Sequence, residues 1–190
     1  MNKIALIVHS GYGHTYGVAQ EIAQGINKVP GVLVDILSTQ EALQKLETFE
    51  QYDAFIFGTP TYMGGPSTDF KAFADGTSGL WFNQTLKDKL AAGFTNSGSL
   101  AGDKLSTLQY LSVFAAQHSM IWVSLGIMPP QKKSGHGGTP DDVNRTGTFL
   151  GLATQSDNAG VDKTPSHGDS ETARLFGKRI AEIAKRWAQK

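Results

Sequence analysis

The apolar positions of the chain fall into two kinds of pattern. Ile4-Ala5-Leu6-Ile7-Val8 is a continuous apolar run with β-branched residues, the habit of a strand buried on both faces in a parallel sheet. Val32 to Leu37, Ala54 to Phe57, Ala91 to Phe94 and Met120 to Leu125 repeat it, giving five predicted strands. Between them the period changes. Val18, Ile22 and Ile26 recur at steps of four, and Ser38-Thr39-Gln40-Glu41 has the form of a capping box opening a second helix. In Thr172 to Gln189 the residues Leu175, Phe176, Ile180, Ile183, Ala184 and Trp187 share one helical face. Strand and helix alternation of this kind predicts an α/β fold with a doubly wound parallel sheet and helices on both faces.

The rhythm breaks from Gly126 to Gly168, which is rich in Gly, Pro, Ser, Thr and Asp. The stretch is longer than the roughly 12–15 residues usual for an unstructured loop. It is expected to be a loop excursion over the functional site at about 126–168, with a surface insert as the alternative and Thr148 to Ala153 as a possible short ordered element.

Composition narrows the chemistry. A chain of 190 residues suits a single domain, 1–190. Without cysteine it has no disulfide framework, thiolate nucleophile, iron–sulfur site or cysteine-based zinc site, so redox chemistry must be borrowed from a cofactor. Seventeen basic against seventeen acidic residues give no support to nucleic-acid binding or to docking on an anionic membrane. The apolar run at Ile4 to Val8 is far short of the about 20 residues of a membrane span, and too short for a signal-peptide core. A cytoplasmic protein without integral membrane contact is expected. His9, His136 and His167 show no ligand spacing, and no metal is assigned.

In an open parallel sheet, ligands bind beyond the carboxyl ends of the strands. The first such loop is Ser10-Gly11-Tyr12-Gly13-His14-Thr15, with two hydroxyls, two glycines and a row of N–H groups opening a helix, a natural phosphate site. An ordinary glycine-containing turn is the plainer alternative. Gly11, Gly13 and Gly17, with Asp35 ending the second strand, miss the spacing of a dinucleotide fingerprint, and the loop has no lysine for a P-loop. The third strand leads into Gly58-Thr59-Pro60-Thr61-Tyr62-Met63-Gly64-Gly65-Pro66, stiff and close-fitting enough to pack on a flat ring. The fourth leads into Thr95-Asn96-Ser97-Gly98-Ser99-Leu100-Ala101-Gly102, able to offer backbone groups to the edge of a heterocycle.

These three loops, together with Thr77-Ser78-Gly79-Leu80-Trp81, Gln117-His118-Ser119-Met120 and Gly137-Gly138-Thr139-Pro140, closely resemble the WrbA-type NAD(P)H:quinone oxidoreductases of the flavodoxin-like family, in the same order and over about three quarters of the chain. The resemblance implies a flavodoxin-like five-stranded parallel sheet of order 2-1-3-4-5 and FMN as cofactor. It places Ser10, Gly11, Tyr12, Gly13, His14 and Thr15 at the FMN phosphate. Thr61, Tyr62 and Met63, with Pro60 and Gly64 in the same loop, would pack against the ring. Asn96, Ser97, Gly98, Ser99, Leu100 and Ala101 would meet its polar edge. His118 matches a family histidine at the flavin, while Tyr12 and Trp81 match positions associated with nicotinamide or quinone. Members are homodimers or homotetramers whose sites neighbouring subunits complete.

The chain departs from that family in three places. Tyr62-Met63 stands where Arg-Phe is usual, the segment from Leu37 to Asp53 is shorter, and the stretch after Pro140 is longer, with Phe149 or Arg145 as candidates for part of the pocket. The implied activity is a two-electron ping-pong reaction in which FMN takes hydride from NADH or NADPH and a quinone then takes two electrons in the vacated place. His118 is the candidate to stabilise the reduced flavin or donate toward a quinone oxygen, since an ordinary pKa of about 6.5 keeps both protonation states accessible. It also reads as a histidine capping the helix before the fifth strand. The alternative function is a flavodoxin-type FMN electron carrier, which the zero net charge does not suit, because such carriers are typically strongly acidic. A Rossmann dehydrogenase is the other enzyme considered, and a phosphorelay receiver is set aside for lack of its acidic cluster and lysine.

Overall fold

In a computed structural model, which describes residues 1–132 and 138–188, each predicted apolar run lies in or against one sheet. His136 and Gly137 lie outside the described residues. The strands are β1 (Asn2–Val8), β2 (Val32–Ser38), β3 (Ala54–Tyr62), β4 (Gly65–Pro66), β5 (Leu90–Ser97), β6 (Ile121–Trp122) and β7 (Leu152–Gln155). The helices are α1 (His14–Asn27), α2 (Thr39–Leu43), α3 (Thr68–Gly76), α4 (Ser78–Phe82), α5 (Lys104–Gln117) and α6 (His167–Trp187), with a 3-10 turn at Leu46–Gln51. The parallel order is β2-β1-β3-β5-β6, with β4 folded back antiparallel on the end of β3. With that hairpin set aside, this is the 2-1-3-4-5 order of the flavodoxin-like fold.

The unbroken apolar runs follow from covering both faces. Ile4, Leu6 and Val8 point into a cluster with Val18, Ile22 and Phe176 of α1 and α6, while Ala5 and Ile7 point into one with Phe57, Phe70, Phe73 and Phe114 of β3, α3 and α5. On the first face, α1 and α6 approach until a Cβ on Gly25 would lie 1.9 Å from the Arg174 carbonyl oxygen and one on Gly177 would lie 2.0 Å from that of Ile22. The capping box at Ser38 forms as expected, Ser38 Oγ accepting from Glu41 N and Glu41 returning to Ser38 N.

Three expectations need correction. The run Met120 to Leu125 is not one strand, because only Ile121 and Trp122 pair with Leu90 and Ala91. The chain then leaves the sheet through Gly126, whose φ of 66° suits glycine, and returns as β7, pairing parallel with Phe94 to Ser97 of the same neighbour. The fifth strand position is therefore shared by two short segments, and 126–168 is not one loop excursion. Leu152 and Ala153, buried and apolar, are drawn into the sheet beside Gly151, which approaches Gly93 so closely that a Cβ would sit 2.5 Å from the Gly93 oxygen. Helix α6 also begins earlier than its apolar face suggests, because Ser166 caps it by accepting from Asp169 N.

Candidate functional site

The loop after β1 enters α1 at Gly13, which has φ 89° and no side-chain cap, so of the first-turn N–H groups those of His14 and Thr15 stay open to a ligand. Ser10 Oγ accepts from Tyr16 N at 3.1 Å, and Thr15 is buried. His14 Nδ1 is buried without a hydrogen-bond partner among the described residues. An orphaned imidazole nitrogen beside open N–H groups and the positive end of a 14-residue helix fits an anionic group such as the FMN phosphate. At Gly11 the Tyr62 hydroxyl comes close, 2.9 Å from where a Cβ would stand.

The second loop is a tight hairpin between β3 and β4. Met63 and Gly64 both have positive φ, 48° and 79°, the twist a two-residue hairpin turn requires, and Met63 is fully exposed at the tip. Thr61 is fixed beneath it. Its hydroxyl donates to Thr107 Oγ1 at 2.8 Å and, having only one proton, accepts from Thr95 Oγ1 at 2.8 Å.

The third loop is held by the returning fifth strand. Asn96 Oδ1 accepts from Thr154 Oγ1 at 2.8 Å and from Ser156 Oγ at 3.1 Å, leaving the amide NH2 as the free polar end. Ser156 N donates to Ser97 O and Gln155 Nε2 to Gly98 O.

These loops form one cleft. Ser10, Tyr12, His14 and Thr15 line it from the first, Pro60 and Tyr62 from the second, and Asn96, Ser97 and Gly98 from the third. Gly11, Met63, Gly64 and Ser99 belong to the same loops without lining it, Gly13 lines an adjoining groove with Ser10 and Tyr16, and Leu100 and Ala101 line another with Lys104. Sequence reasoning missed Ser156 and Asn158, which close the cleft from the β7–α6 connection, and the positioning groups Thr107, Thr154 and Lys104. The signal was present in Leu152-Ala153-Thr154-Gln155-Ser156, an apolar pair running into polar residues as at the other strand ends. Phe149 is exposed, and Arg145 is spent on a bidentate pair with buried Asp169 at 2.9 and 3.0 Å, so neither lines the cleft. Asp35 lies within β2, not at its end, and accepts from the Tyr52 hydroxyl at 2.9 Å.

His118 and Trp81 are not brought to this cleft within one chain. Helices α3 and α5 run back from the carboxyl ends of the strands, so Thr77, Trp81 and His118 share a pocket at the amino end of the sheet, where Ser119 O accepts from Asp88 N before β5. This pocket, about 260 Å³, exceeds the cleft at about 160 Å³, so size does not choose between them. The chemistry of the linings favours the cleft, which lies at the N-terminus of the 14-residue α1 and so suits an anion. His118, 2% exposed, follows the last residue of α5 and shares a hydrogen bond with Thr77, and burial pushes its pKa down, so the imidazole is neutral near pH 7.

Among the described residues no group of three metal-ligating side chains occurs, and no helix is long and apolar enough to cross a membrane.

Comparison with known proteins agrees with this geometry. Residues 2–131 match the family model described as NADPH-dependent FMN reductase. The chain is 40% identical over 185 residues to a protein of Pseudomonas aeruginosa named flavodoxin FldP, covering 96% of this chain and 97% of that one. It is 32% identical to an NAD(P)H dehydrogenase (quinone) of Archaeoglobus fulgidus over 208 residues, covering 98% and 99%. The crystal structure of a flavodoxin, WrbA-like protein from Agrobacterium tumefaciens superposes with a TM-score of 0.75 at 38% identity, covering 98% and 99%. The chain belongs to the NADPH-dependent FMN reductase family, in its flavodoxin-like, WrbA-type branch.

Proposed function

We propose that the chain is a cytoplasmic FMN-dependent NAD(P)H:quinone oxidoreductase. The observation that carries the reading is the convergence of an open helix N-terminus, a stiff hairpin and the Asn96 amide on one cleft. Bound FMN supplies two-electron transfer between reduced nicotinamide and quinone. The residues from Ser10 to Thr15 hold its phosphate. Pro60 to Gly64 bear on the ring, with Thr61 locked by Thr95 and Thr107, and the loop from Asn96 to Ala101 meets its polar edge, Asn96, Ser97 and Gly98 from within the cleft and Leu100 and Ala101, which line the neighbouring groove, by their backbone N–H groups. Tyr12, exposed at the mouth, offers a flat surface to nicotinamide or quinone.

Trp81 and His118 fit this reading in a homodimer or homotetramer, where they complete the cleft of a neighbouring copy. Trp81 is 45% exposed on α4, beside the His118 pocket. There Trp81 stacks on the planar substrate, and His118, whose Nε2–H is held by Thr77 and so is not free to donate toward a quinone oxygen, offers Nδ1 as an acceptor to a hydroxyl of the hydroquinone product.

The P. aeruginosa relative's name favours a second reading, a carrier passing electrons between proteins. The zero net charge counts against it, since steering onto basic partners calls for an acidic surface. A steady-state assay separates the two. FMN-loaded protein oxidising NADH or NADPH with a benzoquinone acceptor supports the enzyme, and failure with both nucleotides rejects it.

A further inference from the structure

Lys104 is out of place by the usual rules. It is the first residue of α5, where the helix dipole disfavours a cation, and it is 2% exposed. A buried ammonium is kept only where it is used, and its hydrogen bonds show the use. Nζ donates to the carbonyl oxygens of Ser99 and, at 3.2 Å, Leu100. Both belong to the loop between β5 and α5.

Holding those two carbonyls fixes two peptide planes. In a trans peptide the C=O and the following N–H point in opposite directions, so the N–H groups of Leu100 and Ala101 are turned away from the lysine. Neither makes a hydrogen bond among the described residues. The lysine thus keeps a pair of backbone donors open in the loop assigned above to the polar edge of the flavin.

The surrounding charges do not cancel the lysine. The carboxylate nearest in effect is Asp169 on α6, and Arg145 already holds that carboxylate bidentately, within a buried pair. Burial pushes the Lys104 ammonium down to about 8, so near pH 7 Lys104, Arg145 and Asp169 together carry one net positive charge. Burial sharpens its field, because less water screens it.

We propose that Lys104 is a positioning residue that holds the Ser99–Ala101 loop with its N–H groups toward the flavin edge and, as a buried cation, favours the reduced flavin over the oxidised. The proposal rests on the FMN reading above. Transfer of a hydride, two electrons and one proton, from NAD(P)H to FMN leaves NAD(P)+ and one negative charge on the ring, and both the open N–H pair and the lysine charge answer it.

The test compares wild type, Lys104→Met and Lys104→Gln. Flavin fluorescence gives the affinity for oxidised FMN, and anaerobic titration against a reference dye gives the midpoint potential of the bound FMN. Methionine removes donor and charge with similar length and no buried polar atom, and glutamine keeps a donor without charge. Lys104→Met is expected to weaken oxidised FMN several-fold and reduced FMN at least tenfold more, which lowers the two-electron potential by about 30 mV for each tenfold difference. Lys104→Gln is expected to retain more of the oxidised affinity while showing the lowered potential. Potentials equal to or above that of wild type in both variants overturn the proposal, as does unchanged FMN affinity in Lys104→Met. A wild-type protein that binds no FMN overturns the functional reading itself, and this proposal with it.

Discussion

Nε2 of His118 stands 3.0 Å from the Thr77 hydroxyl, and that hydroxyl's single proton is given to the Ala74 carbonyl oxygen at 2.7 Å. The imidazole must therefore donate from Nε2, which leaves Nδ1 as a buried acceptor without a partner among the described residues. The T-shaped contact with Phe114, 4.9 Å between ring centres, adds apolar surroundings. With its pKa lowered in the folded protein, His118 binds fewer protons folded than unfolded below about pH 6.5. Its contribution to stability is complete above that pH and is lost as pH falls through the folded value. Urea unfolding at pH 7.5 and pH 5 is expected to show a larger loss for wild type than for His118→Gln. Equal losses would remove the burial argument.

Tyr52 has the opposite sign. Burial, then its bond to Asp35, pushes the phenol up to about 12. The folded protein keeps the proton after the unfolded chain has released it at about 10. Stability is therefore complete below pH 10 and declines as pH rises toward 12. Tyr52→Phe is expected to flatten that decline in unfolding curves taken from pH 9 to 11.

Packing of α1 on α6 brings backbone against backbone at Gly25 and Gly177. Ala in place of Gly177 gains about 1 kcal/mol of helix propensity. Its Cβ would sit 2.0 Å from the Ile22 carbonyl oxygen, backbone that cannot swing aside. The clash wins, and Gly177→Ala is expected to lower unfolding stability by about 3 kcal/mol. Gly17, with open space around its Cβ position, is the control, and Gly17→Ala is expected to cost nothing.

Asn96→Asp tests the site with little disturbance to the fold. The carboxylate still accepts from Thr154 and Ser156, so the loop keeps its anchors. What is lost is the amide donor, replaced by a negative charge facing the polar edge of the ring. FMN affinity is expected to fall by one to two orders of magnitude, about 1–3 kcal/mol, measured by fluorescence titration. Unchanged affinity would place the ring elsewhere.

Much of this was legible in the sequence, for physical reasons. Buried parallel strands leave unbroken apolar runs, and Ile4 to Val8 shows one because its residues alternate between two cores. A helix mouth suited to an anion carries glycine and hydroxyl residues, and Ser10 to Thr15 shows both at the start of α1. The shared fifth strand was hidden because Ile121-Trp122 and Leu152 to Gln155 are each too short to show a period, and their pairing with Leu90 and Phe94 is non-local. Lys104 was hidden because nothing local marks a lysine as buried. His118 and Trp81 were legible as chemistry but not as geometry, since chain direction, which sends α3 and α5 to the far end of the sheet, decides where they lie.

The most direct test of the account is an anaerobic half-reaction on FMN-loaded protein, followed by the flavin absorbance near 450 nm. One equivalent of NADH or NADPH is expected to bleach the flavin, and benzoquinone added afterwards, with no partner protein present, to restore it fully. Bleaching by dithionite but by neither nicotinamide would contradict the proposed enzyme and leave the carrier reading in its place.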